Sequence, residues 1–319
     1  MKLERFYKKA VEVGIANDPR GGDEIKRILD EENESFKDLK DDDRKFFDKD
    51  RLFNPYADTR VLNGDLGIEV AKVMVGIDID TAELLLAREL NKEPGSKIDL
   101  IVGHHPMGPA LARLFDVMHL QSKLLAMYGV TISVAEQLLE KRIGEVERRL
   151  LPLNATREID AARLLGLPLM CIHTAADNCV SNFLTRLFEG EKPAKVKDLV
   201  KLLRGLPEYE KAASLQMPVK VVAGSENGSC GRILIEMTGG TSGPKDVYDK
   251  LADGGVSTLV EMHITEEHLE NAKKAHLNVV IAGHIASDVL GLNLLFDEIE
   301  KEAPLEFVGL SGFARIRRP

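Results

Sequence analysis

The sequence predicts an α/β protein with two α/β lobes, each built on a mainly parallel sheet, and a helical N-terminal extension. Apolar runs typical of buried strands alternate with amphipathic stretches typical of helices. Three apolar runs also stop on histidine: DLIVGHHP at His104 and His105, LPLMCIHT at His173, and NVVIAGH at His284. Because ligands of α/β sheets bind at the carboxyl ends of strands, these imidazoles are predicted to share one site.

The first element is the charged N-terminal extension, residues 1–60. Its stretch DEIKRILDEENESFKDLKDDDRKFFDKDR has only scattered apolar positions, which indicates short helices with a solvated acidic face. A regulatory tail is the alternative. The following stretch, FNPYADTRVLNGD, is rich in turn-forming residues and predicts a coil that crosses the surface.

The first lobe is predicted over residues 61–178. The strand VAKVMVGIDID, the helix TAELLLARELNK and the strand KIDLIVGHHP form a βαβ unit, which should be right-handed with parallel strands. An amphipathic helix over about 109–128, a strand VTISV and helices over about 136–165 follow. The strand PLMCIHT completes the lobe.

A helical connection over residues 179–217 leads to the second lobe, residues 218–319. VKVVAG and GRILIEM read as a hairpin. The bend TGGTSGP opens a helix, and STLVEM, TEEHLENAKKA, LNVVIAG and SDVLGLNLLFDEIEK continue as strand, helix, strand and helix. Each lobe thus ends a strand on Gly-His, at Gly103 and at Gly283, which hints at two related halves.

Composition disfavours several classes of function. A formal net charge of -9 argues against binding to nucleic acid, which needs a concentrated basic surface. Three cysteines without a CxxC pair predict neither a disulfide framework nor a cysteine zinc site, although Cys171 and Cys179 leave thiol chemistry open. No apolar stretch fits a signal peptide or approaches the ~18 residues of a membrane span, so we expect a soluble, cytoplasmic protein without a membrane partner.

Two of the strand-end histidines are followed four residues later by a carboxylate, His173 by Asp177 and His284 by Asp288. This spacing places both groups on one helical face. Neutral imidazole and carboxylate are ligands for zinc, iron and manganese, so a metal centre between the lobes is the working hypothesis. Asp177 is equally suited to cap the next helix, and Ser287 or His284 to cap the last one.

The adjacent pair His104 and His105 indicates a site with two metals, one ring directed at each ion. Pro106 keeps the preceding residue extended, so the chain can turn and bring both rings to one cavity. The alternative is a loop histidine beside one that is hydrogen-bonded to the backbone.

Two polar residues at the end of a fourth strand, Glu261 and His263, are candidates for proton transfer or substrate binding. Half-exposed polar residues without a role are the alternative. The glycine-rich TGGTSGPK could bind an anion at a helix N-terminus, but it is not a P-loop because Pro244 separates Gly243 from Lys245.

The motifs DLIVGHHP, IHTAADN and VIAGHIASD, in this order, resemble the dinuclear metal-centre proteins called NGG-interacting-factor-like, which are also described as GTP cyclohydrolase I type 2 homologs. The resemblance covers about residues 54–319. It implies that His104, His105, Asp177 and His284 are metal ligands. Asp288 stands where the family has a glutamate ligand.

The resemblance further implies two divalent ions per chain, with zinc, iron or manganese as candidates, and a homo-oligomer, commonly a hexamer. It implies a metal-dependent hydrolase that uses a metal-activated water and a small-molecule substrate such as a nucleotide. The competing hypothesis is a metal-binding protein without turnover, acting as carrier, sensor or partner-binding scaffold. A third is that the histidines bind no metal.

Overall fold

Two mainly parallel sheets organise residues 1–318, the part of the chain that this computed structural model describes. The strands are β1 (Arg60–Asn63), β2 (Lys72–Gly76), β3 (Leu100–Gly103), β4 (Leu169–Cys171), β5 (Lys220–Ala223), β6 (Arg232–Glu236), β7 (Val256–Glu261), β8 (Asn278–Ile281) and β9 (Glu306–Gly309). The first sheet has the order β1-β4-β3-β2-β9 and the second β5-β8-β7-β6. The pairs β1/β4 and β5/β8 are antiparallel and the others are parallel, which confirms the predicted fold class.

Helices cover both sheets. They are α1 (Leu3–Ala16), α2 (Gly22–Asp38), α3 (Asp41–Arg44), α4 (Thr81–Leu90), α5 (Pro109–Ala112), α6 (Leu114–Val117), α7 (Leu120–Met127), α8 (Ile132–Leu150), α9 (Arg157–Leu165), α10 (Thr174–Glu191), α11 (Val196–Arg204), α12 (Pro207–Ser214), α13 (Tyr248–Asp253), α14 (Glu266–Lys274) and α15 (His284–Glu300). A 3₁₀ helix spans Lys49–Leu52. Within residues 1–318, none of the helices has the length and apolar character that crossing a bilayer requires.

The two sheets repeat one topology, since β1-β4-β3-β2 and β5-β8-β7-β6 have the same order. Each antiparallel edge pair also has an irregular register, between Val61 and Asn63 and between Val221 and Ala223. This repeat supports the prediction of two related halves. The two strands that end on Gly-His, β3 and β8, are however not equivalent strands of the two sheets. By topology β3 corresponds to β7, and β4 to β8, so the end of the strand before His284 matches the end of the strand before His173.

The predicted hairpin of VKVVAG and GRILIEM is wrong. β5 pairs with β8, and β6 pairs with β7, at opposite edges of the sheet. The central places are taken by β7 and β8, whose Leu259, Val260, Val279 and Val280 are buried. A hairpin would leave one of these apolar strands at an exposed edge.

The predicted strand VTISV is also wrong, because α8 begins at Ile132. Ala135, Leu139, Ile143 and Val146 are buried at helical spacing, and this periodicity outweighs the local β-branched residues. The predicted helix over 109–128 is divided into α5, α6 and α7, with Arg113 outside helical geometry at the first break (φ −113°, ψ 17°).

Three segments pack across the predicted domain boundaries. Helix α1, from the predicted extension, buries Leu3 and Phe6 in the core of the first sheet. Strand β9, from the predicted second lobe, pairs with β2 of the first sheet. Helix α8, from the predicted first lobe, packs in the core of the second sheet with Leu234 and Leu259. Each of these segments has an apolar face that its own predicted unit would leave exposed.

Candidate metal centre

All five predicted metal ligands come together where strands end and helices begin. His104 and His105 directly follow β3, and Asp177 lies in the first turn of α10 after β4. His284 opens α15 after β8, and Asp288 lies one turn further on. The i, i+4 spacing therefore places each carboxylate as predicted. Asp177 is inside α10 rather than its N-cap, which is His173.

The two carboxylate oxygens of Asp288 face different imidazoles. Oδ1 lies 3.4 Å from His104 Nε2, while Oδ2 lies 3.6 Å from the Nε2 atoms of both His105 and His284. His104 Nε2 is also 3.4 Å from Asp177 Oδ1. We call His104, Asp177 and Asp288 the first ligand set, and His105, His284 and Asp288 the second ligand set. Asp288 therefore belongs to both sets.

The spacing and the missing hydrogen bonds fit a cation. Two ligands about 2.1 Å from one tetrahedral ion lie roughly 3.4 Å apart, the separation found here. Within residues 1–318, His104 Nε2, Asp177 Oδ1 and both Asp288 oxygens are buried without a hydrogen-bond partner. Buried polar atoms are normally paired, and leaving them unpaired costs free energy. The donor set is the one that zinc, iron and manganese accept.

The tautomers of the paired histidines direct lone pairs into the site. His104 Nδ1 donates to the carbonyl oxygen of Ile172 at 2.9 Å, and His105 Nδ1 donates to Asp78 Oδ1 at 2.7 Å. Since these acceptors take the Nδ1 proton, the neutral rings carry a lone pair on Nε2, which faces the carboxylates. Hydrogen bonds of this kind orient the imidazoles that bind metals.

Burial and charge both act on the acidic groups of the site. Burial raises the pKa of Asp177 to about 6. Asp288 is also buried, but His104, His105 and His284 hold the pKa of its carboxyl well below the usual range. Burial opposes charging of His173, yet Asp177 and Asp58 raise the pKa of His173 to about 9. Asp288, which the two ligand sets share, therefore keeps its negative charge at lower pH than Asp177 does.

Asp58 supports the candidate site through hydrogen bonds, and the sequence prediction missed it. Its Oδ2 accepts from His173 Nδ1 at 2.9 Å and from the Thr174 hydroxyl at 2.6 Å. The side chain is fully buried, so the stretch FNPYADTRVLNGD is not the surface coil that was predicted. His173, held in this way, is a further candidate ligand beside the first ligand set, because one of its ring nitrogens and the ligand atoms of His104 and Asp177 lie within 4.8 Å of one another.

Replacing Asp58 by asparagine is expected to weaken metal binding about 10- to 100-fold, the usual cost of losing an outer carboxylate partner. Asparagine has no charge, and its NH₂ group would face the backbone N–H of Thr174, from which Asp58 Oδ1 now accepts, so the amide cannot hold the imidazole and the hydroxyl as the carboxylate does. Competition with a chromogenic chelator measures the affinity. Asp253→Asn, at an exposed position, is the control. Equal affinity in Asp58→Asn and wild type would show that His173 needs no such support.

The two predicted proton-transfer residues line one cavity together with Asp177, Asp288 and His284. Glu261 is 5% exposed, so it is not the half-exposed residue of the alternative, whereas His263 is exposed. The His263 and His284 rings lie 4.9 Å apart. Burial lowers the pKa of His263 and raises that of Glu261 well above its ordinary value.

The other candidates do not form a site of their own. Helix α13 begins only at Tyr248, so the glycine-rich bend does not open a helix directly and presents no helix N-terminus to an anion. The bend is instead fixed by Gln121, which donates to the carbonyl oxygens of Gly239 and Thr241. Cys171 is buried, and burial raises the pKa of its thiol to about 12, which disfavours the reactive thiolate.

Comparison with protein-family models and with curated proteins found no match for this sequence. Solved structures do match its fold. A NIF3 superfamily protein from Sphaerobacter thermophilus is 29% identical with a TM-score of 0.69, and the match covers 80% of this chain and 91% of that chain. Reduced HcgD from Methanocaldococcus jannaschii is 16% identical with a TM-score of 0.50, over 79% and 88%. The structural neighbours are thus NIF3 superfamily proteins, as the resemblance of the motifs predicted.

Proposed function

We propose that this chain, with its NIF3 superfamily fold, binds two divalent metal ions through the first and second ligand sets and hydrolyses a small molecule in the adjoining cavity. The observation that carries the proposal is the position of Asp288. Its two unpartnered oxygens face different histidines, as a carboxylate shared by two ions would. Zinc, iron and manganese are the ions that suit these donors.

Bound divalent ions would supply an activated water and polarise an electrophilic carbon or phosphorus. The chain's own residues hold the reactants and move protons. His263 would accept a proton beside His284, and the burial that lowers its pKa favours the neutral imidazole that this role needs. Glu261 would donate a proton to a leaving group, because burial raises its pKa and it keeps its proton at higher pH than an ordinary glutamate does.

The second candidate function is a metal carrier or sensor without turnover. The exposure of His284 favours it, since 38% of this side chain is accessible to solvent and the second ligand set is therefore open to exchange. The first ligand set is buried, with His104 and Asp177 at 1% and 6%. A carrier would release the ion of the second set more readily than that of the first.

The remaining parts of the proposal come from the resemblance of the sequence motifs. They are a homo-oligomer, which in the family is commonly a hexamer, a cytoplasmic location, and a nucleotide as one class of substrate. The net charge of -9 supports a small molecule over nucleic acid as the partner.

Elemental analysis of protein purified without an affinity tag tests the proposal. We expect about two equivalents of transition metal per chain, and a clear loss in His104→Ala, because the first ligand set loses its buried imidazole. His119→Ala, an exposed histidine, is the matched control. A well-folded wild-type sample that binds no transition metal would refute the metal centre.

Activity separates the two candidate functions. A screen of nucleotides and small phosphoesters, with and without chelation, should give turnover that disappears with the metal and returns with it. Rapid metal exchange without turnover of any substrate would instead favour the carrier.

A further inference from the structure

We propose that the cavity beside the two ligand sets contains a second recognition element, the carboxyl pair Glu236 and Glu261, and that this pair binds a ligand with several N–H donors. The ligand class is an amidine, a guanidine or the edge of an aminopyrimidine. As a description of the substrate, this inference rests on the proposed function. As a binding site, it depends only on the pair itself.

The sheet places the two carboxyl groups side by side. Glu236 ends β6, Glu261 ends β7, and the two residues are partners in the parallel register. Side chains of such partners project from the same face of a sheet. Both residues line the cavity that also contains Asp177, Asp288 and His284, so one small molecule can contact the pair and the ligand sets together.

One acceptor of the pair has no hydrogen-bond partner. Glu261 is 95% buried, and its Oε1 has no hydrogen-bond partner within residues 1–318. No lysine or arginine is among the described residues that line the cavity. Glu236 faces the backbone N–H of Gly243 and the imidazole of His268. That imidazole is already hydrogen-bonded to the Thr265 hydroxyl and to the carbonyl oxygen of Gly243. Glu261 Oε1 is thus free to accept a hydrogen bond from a donor that enters the cavity.

The chemistry of the pair selects N–H donors. Carboxylates are acceptors, and a planar fork of N–H groups binds them in a bidentate manner. Burial raises the pKa of both carboxyl groups, and Glu236 adds to the effect on Glu261, so the pair takes up a positive charge more readily than two separate glutamates do. An amidinium supplies a positive charge together with a planar fork of donors. A carboxyl that bonds to a substrate nitrogen can also exchange a proton with it, which is compatible with the catalytic role of Glu261.

Acetamidinium is the probe, because it is small and carries a planar fork of donors. We expect wild-type protein to bind it in calorimetric titration, with or without chelation of metals. Glu261→Gln and Glu236→Gln should bind it at least about 10-fold more weakly, since an amide directs its own N–H groups at the donors of the probe. Glu226→Gln, at an exposed position, should bind like wild type.

The inference is overturned if wild-type protein does not bind acetamidinium, or if both glutamine variants bind it as wild type does. Should Glu261→Gln fail to fold by circular dichroism, the half-buried Glu236→Gln decides the question. Metal content, measured on the same samples, reports on the proposed function separately. Loss of acetamidinium binding with normal metal content supports the carboxyl pair. Binding that disappears on chelation of the wild type would assign the probe to the metals instead and overturn the inference.

Discussion

Replacing Asp288 by asparagine is expected to remove both metal ions, whereas replacing His284 by alanine should remove only one. Asp288 belongs to both ligand sets, with Oδ1 toward His104 and Oδ2 toward His105 and His284. Asparagine has a single carbonyl oxygen and no charge, so neither set keeps its anionic ligand. His284 belongs to the second ligand set alone.

The measurement is metal per chain after dialysis against a weak chelator. Wild type should retain about two equivalents, His284→Ala about one, and Asp288→Asn close to none. The exposed Asp253→Asn is the control for loss of a carboxylate, and should match wild type. One equivalent in Asp288→Asn would contradict a shared carboxylate and would leave two independent sites.

Thermal unfolding gives an independent readout of the same prediction. An ion that binds only the folded chain, at a free concentration 100 times its Kd, stabilises the folded chain by about 2.7 kcal/mol. Added metal should therefore raise the Tm of wild type clearly and that of Asp288→Asn little. Asp288→Glu keeps a carboxylate on a side chain one methylene longer and should retain metal binding, which separates the role of the carboxylate from a general defect of the variant.

Much of the site could be predicted because its ligands follow buried strands. The runs that form β3, β4 and β8 are apolar enough to identify, and a histidine follows the end of each strand within three residues. The spacing of Asp177 and Asp288 needed only the periodicity of a helix. These ligands depend on local chain geometry, which the sequence encodes over a few residues.

The parts that were missed depend on partners distant in the chain. Strands β1 and β9 have four residues each and are only partly buried, so their sheet neighbours rather than their own apolar pattern define them. Asp58 lies in a turn-rich segment, and its partner His173 is 115 residues away. The pairing of Glu236 with Glu261 likewise depends on the strand order of the second sheet. The sequence pattern predicts a hairpin of β5 and β6, whereas β6 lies beside β7.

Replacing Gly291 by alanine is expected to destabilise the protein and to weaken metal binding together. A Cβ at Gly291 would lie 2.5 Å from the carbonyl oxygen of Ala176, on the neighbouring helix α10. Real Cβ contacts are essentially never shorter than 3.0 Å, so α10 and α15 would have to separate by at least about 0.5 Å. Overpacking of this kind costs about 1–3 kcal/mol.

The metal centre should respond because Ala176 precedes Asp177, and Gly291 follows Asp288 by three residues on the same face of α15. Separating the helices changes the distances within the first ligand set. Denaturant unfolding and chelator competition measure the two effects. Gly190→Ala is the matched control, because a Cβ at this helical glycine contacts nothing within 4 Å, and it should be neutral or stabilising by up to about 1 kcal/mol.

If Gly291→Ala unfolds like wild type and keeps its metal affinity, the helices adapt freely and their contact does not set the ligand spacing. If stability falls while metal affinity is unchanged, the first ligand set is positioned by β3 and β4 rather than by the helices. A joint loss assigns the positioning of Asp177 against Asp288 to the close approach of α10 and α15. The absence of a Cβ at Gly291 would then be a requirement for metal binding, because it allows α10 and α15 to approach closely.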